Sequence, residues 1–452
     1  MSNIHAIILA AGKGSRMNAS KPKVLQTLSN NTLLGHVLSQ AKPLCDKIHV
    51  VYGFKGEQVQ RKINNSGINW IEQTEQLGTG HAVAQAMPHI EDNSISLILY
   101  GDVPLIKKAT LADLIHKAQQ SGVALLSVVL DNPTGYGRII RKGKQIQAII
   151  EQKDANNTQL NINEVNTGIM AVHSQLLKQY LSEINANNAQ GEFYLTDIIA
   201  CSVADGQTIS SIISKNQFEV AGVNDKVQLA ELERIFQKNQ ATKFMQDGLT
   251  LKDPSRFDCR GNLNFGKDCE IDINVVIEGQ VSLGNNTTIA PNCIIKNVKI
   301  GNNVVIFPNS IIEDTMIGDN VSIGPFARIR PQTHIKTHVN IGNFVEVKKS
   351  TIGENTKVSH LSYVGDAIIG KNVNIGAGVI TCNYDGVNKH QTIIGDGAFI
   401  GSDSQLVAPI KIGKNATIGA GSTITKAVPD NQLSLSRTKQ TSLKNWQHPT
   451  KK

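Results

Sequence analysis

From Ile271 onward an Ile, Leu or Val returns every sixth residue, with occasional steps of five: Ile277, Leu283, Ile289, Ile295, Ile300 and so on through Ile341, Val347, Ile352, Val358, Val364, Ile369 and Ile375. After one interruption the series resumes at Ile394 and runs through Ile400, Leu406, Ile412 and Ile418 to Ile424. A period of six suits neither an amphipathic helix nor an alternating strand. It predicts a hexapeptide parallel β-helix, in which a short strand and a turn make each face of a triangular prism and the aliphatic ladder fills the axis. Many of these residues are followed by Gly, as in Ile300-Gly301, Ile317-Gly318 and Ile341-Gly342, with Asn close behind. Both residue types tolerate the positive φ that such frequent corners demand. Repeat arithmetic gives roughly eight to ten coils. A core that thin leaves no room for a pocket, so ligands are expected outside it, in grooves completed by a partner copy.

A chain of 452 residues is expected to hold two domains. Its formal net charge of +8 suits anionic small substrates, or simply a mildly basic solvated surface. The basic residues are dispersed and not interleaved with aromatics, which argues against nucleic acid. Cys45, Cys201, Cys259, Cys269, Cys293 and Cys382 show no Cys-x-x-Cys spacing, so reduced thiols in a cytoplasmic protein are expected. The apolar run from Ile4 to Ala11 is too short to span a membrane and lacks a basic lead-in. No membrane association is expected.

That opening run reads as a buried strand breaking into a Gly-rich loop, Ala11-Gly12-Lys13-Gly14-Ser15-Arg16-Met17. Strand-like runs recur at Lys47–Tyr52, Ile68–Ile71, Ile95–Tyr100 and Val123–Leu130, with helical patterns between, such as Leu33–Lys42 and Leu111–Gln119. The alternation predicts a parallel sheet with helices on both faces and ligands at the strand carboxyl ends. A hairpin is expected around Tyr136–Ile150. Val227, Leu229, Leu232, Ile235, Phe236, Phe244 and Met245 read as the apolar face of one long helix ending at Gly248. The loop is neither a dinucleotide fingerprint, which needs a third Gly at Met17, nor a Walker A loop. What it offers is backbone N–H groups with Lys13, Arg16 and Lys23 nearby, a set able to hold phosphate, or else a structural turn.

Leu9-Ala10-Ala11-Gly12-Lys13-Gly14-Ser15-Arg16-Met17, followed by Lys21-Pro22-Lys23, resembles the signature of sugar-1-phosphate nucleotidyltransferases. Glu75-Gln76-Leu77-Gly78-Thr79-Gly80-His81-Ala82, Tyr100-Gly101-Asp102-Val103-Pro104-Leu105, Gly135-Tyr136-Gly137-Arg138 and Glu164-Val165-Asn166-Thr167-Gly168 match the same family. Coupled to the hexapeptide repeat, the chain resembles the bacterial bifunctional N-acetylglucosamine-1-phosphate uridyltransferases and glucosamine-1-phosphate acetyltransferases. The fold expected is α/β: an N-terminal Rossmann-like nucleotidyltransferase domain over residues 1–224, a long linking helix over 225–248, and a C-terminal left-handed parallel β-helix with its tail over 249–452. The resemblance implies acetylation of glucosamine-1-phosphate by acetyl-coenzyme A, then transfer of UMP from UTP to give UDP-N-acetylglucosamine, a precursor of envelope polymers.

By the same resemblance, Asp102 and Asn224 hold Mg²⁺, and Arg16 and Lys23 neutralise the triphosphate. Gln73, Gly78 and Thr79 read the uracil edge with the backbone of Leu9, Ala10, Ala11 and Gly12. Tyr100 and Gly101, just before Asp102, bind substrate at the same site, and Gly137, Glu151 and Asn166 hold the N-acetylglucosamine moiety. In the repeat region His360 serves as the base, Arg330 and Lys348 grip the sugar phosphate, and Tyr363 and Asn374 meet the sugar. Ala377, Asn383, Tyr384, Ser402, Ala420 and Arg437 line the acetyl-coenzyme A site. The interruption at residues 381–392 covers that coenzyme, and the basic tail (Lys439, Lys444, Lys451, Lys452) either touches its phosphates or is free. Homotrimers are implied, with each acetyltransferase site shared between chains. His is also the residue chemistry would choose for acyl transfer to an amine near neutral pH. His334 and His338 invite a three-His zinc site, but neither sits at a coil position corresponding to His360. Two rival readings are a single-activity nucleotidyltransferase with an oligomerising rod, and a structural ice-binding β-helix. The second would need a face of repeated Thr, which the sequence lacks.

Overall fold

The structure, a computed structural model, describes residues 3–63 and 67–449; Lys451 and Lys452 of the basic tail lie outside the described residues. It divides into two units, Met1–Phe236 and Gln237–Lys452. The boundary falls inside the long helix expected as a linker.

The first unit is built on a nine-stranded sheet: β1 (Asn3–Ala10), β2 (Lys47–Tyr52), β3 (Ile68–Glu72), β4 (Ser94–Tyr100), β5 (Val123–Val129), the hairpin β6 (Arg138–Lys142) and β7 (Gln145–Ile150), β8 (Glu164–His173) and β9 (Ile209–Ser214). The central order is β9-β5-β8-β4-β1-β2-β3. Alternate residues of β1 face opposite cores. Ala6, Ile8 and Ala10 pack against α1 (Leu33–Ala41), α2 (Gly56–Ile63) and the later α4 (Lys108–Ser121), while Ile7 faces α3 (Thr79–Ala86), α5 (Ser174–Glu183) and α6 (Asp197–Ala204). Helices therefore cover both faces, as the alternation predicts.

The expectation of a parallel sheet needs correction at β8, which runs antiparallel to both β4 and β5. Parallel neighbours require a crossover long enough to return the chain to the same end, usually through a helix. Between β5 and β8 the chain instead makes the β6–β7 hairpin and a four-residue helix, Asn157–Leu160, so it re-enters the sheet reversed. The reversal sends Asn166 and Gly168 to the strand end beside Tyr100, where a register shift follows Asn166.

The long helix is α7 (Lys226–Gln246), and Gly248 follows it at φ +104°. Its expected apolar face is only partly buried. Leu232, with Leu229, Ile235 and Phe236, packs in the first unit, but Val227 is 77% exposed and Met245 37% exposed. The reason is that the two halves serve different cores. In the second unit the buried positions are Gln237, Ala241 and the partly buried Phe244, which meets Phe257 and Phe265 edge-on. Gln237 takes the backbone N–H of Cys259 (2.8 Å) and donates to its carbonyl (3.2 Å), closing the edge of the strand Phe257–Phe265.

The second unit is a parallel β-helix. One face is an eleven-stranded sheet in which Leu251, Ile271, Ile289, Ile306, Ile323, Ile341, Val358, Ile375, Ile400 and Ile418 stack in register. A fifteen-stranded sheet makes the other two faces. Every aliphatic residue of the six-residue series is buried, none more than 4% exposed. A second inward column of small residues (Cys269, Thr287, Val304, Val321, Val339, Thr356, Val373, Ala398, Ala416) fills the space beside it. All six cysteines are free thiols, and Cys259, Cys269 and Cys293 serve as small core residues.

The corners divide the labour between Gly and Asn in a way the sequence reading did not anticipate. The positive φ is carried mostly by Asn and Asp: Asn286, Asn303, Asn320, Asn355, Asn372 and Asn415 all lie between +52° and +58° on one edge, where His338 and Gly397 take the same role. Gly301, Gly318 and Gly342 are absent from the positive-φ glycines. They are glycine because a Cβ would strike the neighbouring coil, 2.9 Å from the backbone of Lys336 at Gly318 and into the Ser359 carbonyl at Gly342. The Asn column adds a side-chain ladder, Asn286 to Asn303 and Asn303 to Asn320, each at 3.1 Å.

Candidate functional sites

The Gly-rich loop leaves β1 and turns through the 3₁₀ segment Ser15–Met17. Gly14 sits at φ +60°, and a Cβ there would lie 2.7 Å from Cβ of Lys23. Glycine thus lets Lys23 pack under the loop. From that place Lys23 forms an ion pair with Asp102, and its ammonium lies 3.3 Å from Oδ1 of Asn224. Arg16 reaches the same Asn224 oxygen at 3.1 Å. Asp102 stands just past the end of β4, where the Val223 N–H bonds its carbonyl at 2.9 Å and so fixes Asn224 alongside. Two hard oxygens therefore converge on one cationic point, which Lys23 occupies. That donor set suits Mg²⁺, which takes one or two protein oxygens and completes its shell with water and phosphate.

Beside this cluster is a cavity of about 400 Å³. Leu9, Ala10, Ala11, Gly12, Lys23, Gln73, Gly78, Thr79, Tyr100, Asp102 and Asn224 line it, all of them expected. Gly101 lies behind the wall, its N–H on the Leu9 carbonyl at 2.9 Å, tying the ends of β1 and β4. Gly137, Glu151 and Asn166 form an adjoining group. The Asn166 N–H bonds the Gly137 carbonyl at 2.8 Å, and a Cβ at Gly137 would lie 3.1 Å from the Glu151 carboxylate. Burial pushes the Glu151 carboxyl up, opposed by the Thr196 hydroxyl that bonds it at 3.1 Å. Burial likewise raises the Tyr100 and Tyr136 hydroxyls, reinforced at Tyr100 by Glu151 and at both by Asp102. Both phenols thus stay neutral donors. Gln76 and Glu192 also line the cavity and were not singled out from sequence. Gln76, which holds the Ala11 carbonyl at 2.9 Å, stands within a matched motif, whereas Glu192 arrives from an irregular segment no local pattern marks.

In the β-helix, His360, Ala377, Ser402 and Ala420 fall on one edge of the prism. The Gly378 N–H bonds the His360 carbonyl (3.3 Å), Asp403 bonds Ala377 (2.7 Å) and Gly421 bonds Ser402 (2.8 Å) on successive coils. Arg437 continues the edge, its guanidinium 2.8 Å from the Ala420 carbonyl. His360 is exposed, and its Nδ1 lies 2.6 Å from Oδ1 of Asn343, its register partner one coil back. The amide oxygen only accepts, so Nδ1 carries the hydrogen and Nε2 keeps a free lone pair. On the adjoining face Tyr363 stacks on Glu346, which in turn pairs with Arg330 at 2.8 Å and holds its guanidinium charged. Lys348 is pushed down by the neighbouring Lys389, and Arg330 adds to the effect. Three cations crowded together call for an anion. Asn383 bonds Asp366 at 2.6 Å and lies 3.5 Å from the Tyr363 hydroxyl. Asn374 stacks between Lys357 and Phe399 on the eleven-stranded face, the face that carries the strand ending at His360. The 381–392 interruption is a closed hairpin, with Tyr384 bridged to Lys389 and Asp385 bonded to His390 at 2.7 Å. The Asn388 backbone N–H, then the His390 ring and the Val387 N–H, hold the Asp385 carboxyl far below the ordinary carboxylate range. His334 lies on a different face between Met316 and Thr351, and among the described residues no group of three His, Cys, Asp or Glu gathers as a metal site. No described helix is long and apolar enough to cross a membrane.

The MobA-like NTP transferase domain family matches residues 6–157, the GMPPB C-terminal domain matches residues 259–333 and 311–398, and the bacterial transferase hexapeptide family matches residues 391–426. A bifunctional protein GlmU from Ruthia magnifica is 85% identical over the full length of both chains. Another from Vesicomyosocius okutanii is 78% identical, covering 98% of this chain and 99% of its own, and one from Marinobacter nauticus is 52% identical over both full lengths. The chain belongs to the bifunctional GlmU family. As a GlmU family member it is an enzyme with both acetyltransferase and uridyltransferase activity, a nucleotidyltransferase domain and a hexapeptide-repeat β-helix. The single-activity and ice-binding readings give way to that membership.

Proposed function

We propose that the two activities are housed separately, uridylyl transfer in the first unit and acetyl transfer along the His360 edge of the second. The observation that carries the first assignment is the convergence of residues scattered from Leu9 to Asn224 on one cavity with a cationic mouth. The phosphate oxygen of N-acetylglucosamine-1-phosphate attacks the α-phosphorus of UTP, and pyrophosphate leaves. Lys23 and Arg16 neutralise charge as it builds on the departing oxygens, while Gln73, Gly78 and Thr79 hold the uracil and Gly137, Glu151 and Asn166 the sugar. Asp102 and Asn224 would hold Mg²⁺, which supplies charge neutralisation at the phosphates.

On the second unit the amine of glucosamine-1-phosphate attacks the acetyl carbonyl of acetyl-coenzyme A. His360 takes the amine proton on Nε2 as the coenzyme thiolate departs. Arg330 and Lys348 hold the sugar phosphate, Tyr363 and Asn374 the ring. Ala377, Asn383, Tyr384, Ser402, Ala420 and Arg437 receive the coenzyme. This edge is exposed on a single chain, which supports a trimer in which a neighbour closes each site. The six free thiols support a reducing, cytoplasmic setting. The test is incubation of purified protein with glucosamine-1-phosphate, acetyl-coenzyme A, UTP and Mg²⁺, omitting each in turn. UDP-N-acetylglucosamine is expected only from the complete mixture. Acetylated sugar phosphate should still form without UTP.

A further inference from the structure

Gln73 is almost fully buried at the cavity wall, 4% exposed. Its side-chain nitrogen lies 3.2 Å from the Gly78 carbonyl oxygen and 3.1 Å from Nδ1 of His81. A backbone carbonyl can only accept, so the amide end facing Gly78 is the NH₂. Its second hydrogen points at His81, whose Nδ1 must therefore be the bare, accepting nitrogen, with the ring hydrogen on Nε2. The Gln85 amide nitrogen, one turn further along α3, lies 3.1 Å from that Nε2 and 3.5 Å from the His81 carbonyl; the amide turned over presents its oxygen to the Nε2 hydrogen and gives up only the longer carbonyl contact. Both amide hydrogens of Gln73 are thus used inside the protein. Only Oε1 remains to meet a ligand.

Resting on the uridylyltransferase reading, in which Gln73 faces the base, we infer that His81 is a positioning residue that sets the choice of pyrimidine. Position 3 of uracil carries a hydrogen that an amide oxygen accepts. Position 3 of cytosine carries a lone pair, which the same oxygen repels. A free glutamine would turn over and offer its NH₂ to cytosine; the Gly78 carbonyl and His81 Nδ1 together resist the turn, and His81 supplies the second of the two anchors. The site then rejects cytosine through an unpaired, opposed acceptor, the kind of polar mismatch that discriminates strongly in a buried site.

The experiment compares kcat/KM for UTP and CTP, with N-acetylglucosamine-1-phosphate and Mg²⁺, in the full chain and in His81→Ala, His81→Asn and Gln85→Ala. His81→Ala should lower the UTP-over-CTP preference by about tenfold, the scale on which a buried amide losing one of its partners is felt. His81→Asn, which keeps an acceptor near the Nδ1 position, should restore most of it. Gln85→Ala frees the ring tautomer and should lower the preference less, and it carries the test if His81→Ala melts early. A preference unchanged in folded His81→Ala, or in Gln85→Ala where the first does not fold, overturns the inference. Absence of turnover with either nucleotide in the parent chain would instead overturn the reading on which it rests.

Discussion

Single residues decide the chemistry, and Lys23 is the most exposed to test. It is the cation between Asp102 and Asn224, so its removal takes charge stabilisation from the departing phosphate. Lys23→Ala should cost about 10²–10³ in uridylyl kcat, the scale of losing one preorganised charge donor, and leave acetyl transfer unchanged in coupled assays of the two steps. A different residue-scale prediction concerns His5 and His49, stacked and buried on β1 and β2 with Nδ1 of one 3.0 Å from Nε2 of the other. Burial, then the charge of its neighbours, pushes His49 from 6.5 down to about 4. The unfolded chain therefore binds more protons in that window, and stability falls as pH drops through 6.5 toward 4. The urea midpoint of the first unit should decline between pH 7 and 5, and His49→Gln should flatten that decline. Motif residues such as Asp102, Gly78 and Asn166 were legible in the sequence because they sit in contiguous signatures. His49, Gln237 and Glu192 were not, because their importance comes from partners distant in the chain.

At the scale of elements, periodicity read the β-helix correctly and misjudged the reason for its glycines. Burial of the whole aliphatic series follows directly from the six-residue spacing. The inter-coil distance at each Gly, however, is a property of stacking that one coil's sequence does not state. Gly342→Ala forces a methyl into the Ser359 carbonyl and should destabilise the second unit by roughly 1–3 kcal/mol, read as a lowered denaturation midpoint. An unchanged midpoint would mean the coils can part without cost. In the first unit the strand runs were visible but the direction of β8 was not, since direction depends on the connection and not on the strand's own residues. The helix α7 misled for a related reason: a single stripe was sought where two half-helices bury different faces.

For the whole molecule, one chain carries a cavity in its first unit and an open edge in its second. The proposal that a partner closes that edge predicts a sedimenting mass three times that of the chain. Dilution to monomers should abolish acetyl transfer before uridylyl transfer, because only the former needs a neighbour. Monomers with undiminished acetyl transfer would contradict the shared site. The two-unit assignment itself is tested most directly by assaying both steps in Asp102→Ala and His360→Ala, each supplied with the substrate of the step under assay. The account predicts a crossed result: Asp102→Ala acetylates glucosamine-1-phosphate normally but forms no UDP-N-acetylglucosamine, and His360→Ala uridylylates N-acetylglucosamine-1-phosphate normally but acetylates nothing. Loss of both steps in either folded variant, or retention of the step assigned to the altered residue, would contradict it.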